Sequence, residues 1–193
     1  MKKIFAFAMM LSLGFASAAH AELGVGVFGS YQISGNYTYE APGFPIDSMK
    51  SKGSSSFGAL LFIPVLPWFS LRGGVAYESA KFETTTSGTP SETSMSNMLI
   101  PVDLQFHFPV VGLYAFAGAV FVTNQSTSPD TLGKSGSDTR TQLGVGYDLF
   151  SLTLLTVSAE VDYQKGSKNI SPVSGVDVKT DSTNLNLMAR FTL

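Results

Sequence analysis

Arg72, Arg140 and Arg190 fall on alternate-residue faces that also carry Glu78, Asp103, Asp148, Glu160 and Asp162. Guanidinium groups and carboxylates gathered on one side of a sheet can do two things. They can neutralise one another in a hydrogen-bonded ion network, which the cost of an unpaired buried charge demands. They can also line a polar path for a small solute. Glu160 and Asp162 have the spacing of a carboxylate pair, yet neighbours two apart on one strand face serve as interior polar residues as readily. Nucleophilic catalysis needs an activated nucleophile with a base within hydrogen-bond reach. Cysteine is absent, which also excludes a zinc-thiolate site. Once an N-terminal leader is set aside, His107 is the one histidine left. It sits beside a short Pro109–Gly112 connection, facing inward, and the spacing of Ser and acidic residues in the long loops matches no nucleophile motif. No enzyme activity, cofactor or metal is expected. Gly24-x-Gly26, Gly73-Gly74 and Gly144-x-Gly146 lie inside apparent strands with no helix after them to hold a phosphate, so they are not nucleotide loops. Glycines there ease curvature.

The elements that position these residues are strands. Period-two alternation gives strands at about 23–34, 55–63, 68–82, 96–108, 113–123, 138–149, 153–165 and 181–193. In the third, Phe69, Leu71, Val75 and Tyr77 oppose Ser70, Arg72, Gly74 and Glu78. In the fourth, Ile100, Val102, Leu104 and Phe106 oppose Asp103, Gln105 and His107. In the sixth, Leu143, Val145, Tyr147 and Leu149 oppose Arg140, Gln142, Gly144, Gly146 and Asp148. The seventh sets Leu155, Val157, Ala159, Val161 and Tyr163 against Thr156, Ser158, Glu160, Asp162 and Gln164. The eighth sets Leu185, Leu187, Ala189, Phe191 and Leu193 against Asn184, Asn186, Arg190 and Thr192. The fifth is apolar on both faces, which leaves its register open. Pro101 lacks a ladder donor, so a bulge or local irregularity is expected there.

The connections alternate in length. Polar stretches at 35–54, 83–95, 124–137 and 166–180 are long, whereas those near 64–67, 109–112 and 150–152 are short. Long extracellular loops and short periplasmic turns are the habit of outer-membrane barrels. Trp68, Phe69, Phe106, Phe108, Phe150 and Phe191 cluster at the short-turn ends, and Tyr31, Tyr77, Phe82, Phe121 and Tyr163 near the other ends. Two such girdles are expected at two membrane interfaces.

The start of the chain sets the expected compartment. Lys2 and Lys3 precede an apolar stretch over 4–15, and Ala19-x-Ala21 matches a leader-cleavage pattern. Residues 1–21 are expected to be a signal peptide, with the mature domain at 22–193. Cleavage takes Lys+Arg from 12 to 10 against 14 Asp+Glu, a mature net charge of -4 that offers nothing to nucleic acid. Charged residues make up 13% of the chain, against roughly 25% in soluble domains. In lipid every backbone polar group must pair within the protein, so a sheet must close on itself. The expected fold is therefore all-β, an eight-stranded antiparallel up-and-down transmembrane β-barrel, apolar register outward. Its interior is just wide enough for side chains to fill.

The leader, the eight strands and the terminal run Asn184-Leu185-Asn186-Leu187-Met188-Ala189-Arg190-Phe191-Thr192-Leu193 together resemble small outer-membrane β-barrel proteins of the OmpA/OmpX type. Leu99-Ile100-Pro101-Val102-Asp103-Leu104-Gln105-Phe106 looks like an apolar-Pro strand start common in that broad family. The resemblance implies an outer-membrane location, lipid around the barrel and insertion by the barrel-assembly machinery. That machinery reads a terminal strand ending in an aromatic residue; here Leu193 is last and Phe191 holds the preceding outward position. Three functions stay open: a structural or surface-interaction barrel acting through its long loops, a transporter of small solutes, and a secreted soluble ligand-binding barrel. No sequence feature names an extracellular ligand.

Overall fold

The computed structural model describes residues 23–40, 46–108, 112–128, 137–167 and 177–193. The expected leader and several connection centres, including Pro109, Pro129 and Asp130, lie outside the described residues. Eight strands follow one another: β1 (Gly24–Glu40), β2 (Ile46–Leu66), β3 (Phe69–Thr86), β4 (Thr89–His107), β5 (Leu113–Ser128), β6 (Asp138–Ser151), β7 (Leu155–Gly166) and β8 (Asp177–Thr192). Each pairs antiparallel with its sequence neighbours, and β1 pairs with β8 from Gly24↔Thr192 to Glu40↔Asp177, closing the barrel. Closure removes the sheet edges that lipid could not satisfy.

Most strands, β1 to β3 and β8 among them, are longer than alternation suggested, because polar residues continue the ladder. The stretch 83–95, read as a loop, is a hairpin: β3 and β4 stay paired up to Thr86↔Thr89. Ser87 (φ 49°) and Gly88 (φ 78°) turn the chain between them. Positive φ at both central residues is the two-residue turn whose twist matches antiparallel strands. The β1–β2 ladder, by contrast, stops at Tyr31↔Ser55, while β1 continues against β8 and β2 against β3.

At Pro101 the expected irregularity takes the form of a gap, not a bulge. Pairing between β3 and β4 runs from Phe69↔Phe106 to Gly73↔Val102 and resumes at Ala76↔Leu99 in the same register. On the β5 side Pro101↔Val120 is an ordinary pair, and the register shift falls at Ser96/Asn97 instead. A missing N–H costs a local bond without forcing an extra residue into the strand.

Leu143, Val145, Leu185 and Leu187 are exposed outward, along with Val27, Val75 and Leu104. Aromatic contacts gather at the rim of the short turns: Phe69 and Phe106 lie 5.0 Å apart, Phe106 and Phe108 4.9 Å. Phe82 departs from the expected girdle. It has the inward register of β3 and is only 8% exposed.

The interior is not wholly polar. Leu60, Phe62, Tyr114, Phe116 and Met188 form one buried cluster, with Phe28 against it. Ala76, Leu99, Val120 and Val122 form a second. The open question of β5 is thereby answered: Tyr114, Phe116, Val120 and Val122 point inward, and Leu113 and Phe121 point outward. Gly144 and Gly146 explain how those rings fit. They pair with Phe116 and Tyr114 across β5–β6, and a Cβ on either glycine would overlap the facing ring. The glycines clear room for aromatic side chains, beyond easing curvature.

Candidate functional site

The register brings opposite charges and amides side by side before any contact across the lumen is made. Arg72↔Asp103 and Glu78↔Asn97 are direct β3–β4 pairs. Glu160↔Asn186 and Asp162↔Asn184 are direct β7–β8 pairs. Directly opposite side chains on one face lie close enough to bond.

In the lower tier, Arg72 donates from Nε and Nη2 to Asp103 Oδ2 at 3.1 and 3.0 Å. Its Nη1 donates to Glu160 Oε1 at 2.6 Å. The guanidinium also stacks 4.1 Å from the centre of the Phe116 ring, a contact that favours a desolvated cation. Tyr114 Oη donates to the same Glu160 oxygen at 2.9 Å. Asn186 donates to Asp162 Oδ2 at 2.6 Å and Asn184 to Asp162 Oδ1 at 3.0 Å.

In the upper tier, Arg140 grips Glu78 with two bonds, Nη1 to Oε1 and Nη2 to Oε2, both 3.1 Å. Such fork-to-fork pairing gives direction as well as strength. Asn97 donates to Glu78 Oε2 at 2.7 Å, and Asp138 Oδ2 lies 3.8 Å from Arg140 Nε. Cavities of about 40 and 30 Å³ adjoin the two tiers, the first lined by Arg72, Glu160 and Gln142, the second by Glu78, Arg140 and Thr180.

The structure brings six of the eight charged residues singled out from sequence into these tiers: Arg72, Asp103, Glu160, Asp162, Glu78 and Arg140. Asp148 stands apart toward the short turns, accepting from Ser158 Oγ at 2.7 Å. Arg190 does not pair with an acid as expected. Among the described residues it forms no ion pair, and its guanidinium lies 5.3 Å from the centre of the Phe62 ring. Asp138 was missed although it shares a face with Arg140 two residues on, a signal present in the sequence. Tyr114 was missed because the register of β5 could not be set.

Ser70 Oγ and His107 Nε2 lie 3.2 Å apart near the short-turn rim. A nucleophile and base would need a third group to orient the imidazole. Among the described residues no carboxylate bonds the other ring nitrogen. Nor does any group of three or more His, Asp or Glu among them suit a metal ion.

A closed ring of antiparallel strands, apolar outside and ion-paired inside, defines an integral membrane β-barrel. The chain matches the family described as "Outer membrane protein beta-barrel domain" over residues 4–191, and it belongs to that family. No curated protein matches it by sequence. Among solved structures it is similar to the outer membrane protein OprG from Pseudomonas aeruginosa, with TM-score 0.55 and 13% identity over 90% of this chain and 96% of that one. It also aligns with the translocator domain of the autotransporter NalP from Neisseria meningitidis, with TM-score 0.38 and 11% identity, covering 100% of this chain and 98% of that one. The protein is thus an outer-membrane barrel, and the secreted soluble reading is set aside: the apolar register faces out to lipid instead of into a dry core.

Proposed function

We propose that this chain is a non-enzymatic outer-membrane barrel whose lumen is closed by the ion network, and that its long hairpins form a surface for contacts outside the cell. In this reading residues 1–21 direct export and are removed, and the barrel-assembly machinery inserts the rest. One observation carries the closed lumen. β3 and β7 are diametrically opposite in an eight-strand ring, and Arg72 and Glu160 bridge them at 2.6 Å. That bar lies across the path an ion would take. Planar-bilayer recording tests it. The purified barrel is expected to give no steady conductance; porin-like channels would overturn the closed-lumen reading.

A second reading, passage of small solutes, is favoured by the seam between β1 and β2. Their ladder ends at Tyr31↔Ser55, and the cavity of about 30 Å³ lies behind that point, lined by Gln32 and Ser54. Uptake of a small solute by liposomes carrying the protein, without ion conductance, would support this reading over the first.

A further inference from the structure

Two buried arginines, Arg72 and Arg140, face five buried carboxylates, those of Glu78, Asp103, Asp138, Glu160 and Asp162. Arg140 serves Glu78 and stands beside Asp138; Arg72 serves Asp103 and Glu160. Asp162 is bonded by Asn184 and Asn186 alone among the described residues. Amide donors orient a carboxylate but bring no charge. Arg190, the other inward arginine among the described residues, lies against the Phe62 ring and bonds none of these acids. Carboxylates therefore outnumber cations among the described interior residues, and an uncompensated buried ion is costly.

The cavity of about 40 Å³ beside Asp162 has the chemistry to hold a balancing cation. Its polar wall carries the side-chain oxygens of Glu160, Asp162, Gln142, Gln164, Ser30 and Ser56, with Arg72, bonded to Glu160, at one side and apolar residues such as Leu60 and Val120 completing it. Gln142 is 6% exposed, and its Oε1 has no hydrogen-bond partner. Hard cations take such oxygen ligands. The described residues offer no convergence of three acids or imidazoles for a multivalent metal. The volume admits about three water-sized occupants, enough for a small ion and residual water. We propose that this cavity binds one small monovalent cation, sodium or potassium, held by the carboxylates of Glu160 and Asp162 and by Gln142 Oε1. The barrel then draws part of its internal charge balance from solution.

Thermal unfolding of the whole protein in detergent, read by heat-modifiable gel mobility, tests the proposal. Sodium, potassium and N-methyl-glucammonium chloride are compared at one ionic strength, which holds screening constant. The midpoint is expected to rise by about 3 °C or more in sodium or potassium and to saturate as for one site, with no rise in the bulky cation. Gln142→Lys, which places an ammonium group at the cavity, and Asp162→Asn, which removes a ligand, should each abolish the difference. Equal midpoints for the unaltered protein in all three salts would overturn the site. So would a difference that survives unchanged in whichever variant folds. A barrel stabilised by acidification equally in all three salts would also overturn it, since protons would then be balancing the charge.

Discussion

Arg72 Nη1 donates to Glu160 Oε1 at 2.6 Å, joining strands on opposite sides of the barrel and residues 88 apart in sequence. The same guanidinium satisfies Asp103, so its loss strands two acids at once. Removing one partner of a buried pair costs about 3–5 kcal/mol, because the remaining charge has nowhere to go. Arg72→Ala is therefore expected to destabilise the folded barrel by at least that much. Glu160→Ala leaves Arg72 with Asp103 and the Phe116 ring, and should cost less. Urea unfolding in detergent compares them; equal midpoints for Arg72→Ala and the unaltered protein would show that the bar carries no stability.

In the upper tier Arg140 holds Glu78 with two bonds. Arg140→Ala leaves Glu78 with Asn97 as a donor and no counter-charge there. Its destabilisation should be largely recovered by adding Glu78→Gln, which removes the stranded charge. A double-mutant cycle measures the coupling; additive costs would mean that the pair does not act as a unit.

Gly144 and Gly146 face Phe116 and Tyr114 across the β5–β6 ladder, with no space for a Cβ. The rings cannot leave easily, since both are packed in the buried cluster with Leu60, Phe62 and Met188. Gly144→Val should cost about 1–3 kcal/mol by overpacking. Phe116→Leu placed with it should restore much of that loss, whereas Phe116→Leu alone should destabilise by leaving a void. If the pair of substitutions is no better than Gly144→Val alone, backbone curvature rather than ring clearance explains the glycine.

Alternation made the faces of β3, β4, β6, β7 and β8 legible in the sequence, because neighbours one position apart point to opposite faces and the charges keep out of phase with the apolar set that meets lipid. Length ratios of the connections made the strand count legible. β5 was not readable, since Tyr114, Phe116, Val120 and Val122 turn inward while Leu113 and Phe121 face lipid. An apolar interior patch and a lipid surface look the same in one dimension. Strand ends were short for a related reason: the ladder through Thr84, Thr85 and Thr86 carries no apolar face, so the sequence there reads as loop. Which acid meets which arginine was not legible either. Arg72 reaches β7 through barrel closure, a relation no local pattern encodes.

Val145 is exposed on the outward face of β6, while Gln142 on the same strand is buried within. Arginine facing the bilayer midplane costs roughly 2–4 kcal/mol. Val145→Arg should thus lower the yield of heat-modifiable folded barrel in detergent or vesicles. Gln142→Arg places a cation beside Glu160 and Asp162 in the 40 Å³ cavity wall, so its charge is matched even if its bulk strains the lumen. It should fold better than Val145→Arg. Equal yields would count against the lipid-facing assignment of the odd-numbered positions of β6.

The two ends of the barrel differ in a way that whole cells can read. At one end β3 and β4 continue well past the Tyr77 level to the Ser87–Gly88 turn, and β5 runs to Ser128. At the other, β2 passes to β3 through Pro67 and Trp68 alone. A membrane barrel with short periplasmic turns places Leu66 inside the envelope and Thr86 outside. Since the chain has no cysteine, each introduced thiol reports on itself. Thr86→Cys and Ser128→Cys should react with a membrane-impermeant maleimide on intact cells, and Leu66→Cys only after the outer membrane is permeabilised. Both groups should label alike in denatured protein, which controls for intrinsic reactivity. Labelling of Leu66→Cys on intact cells with Thr86→Cys protected would invert the barrel. It would also move the hairpins, and with them the proposed contact surface, to the periplasm.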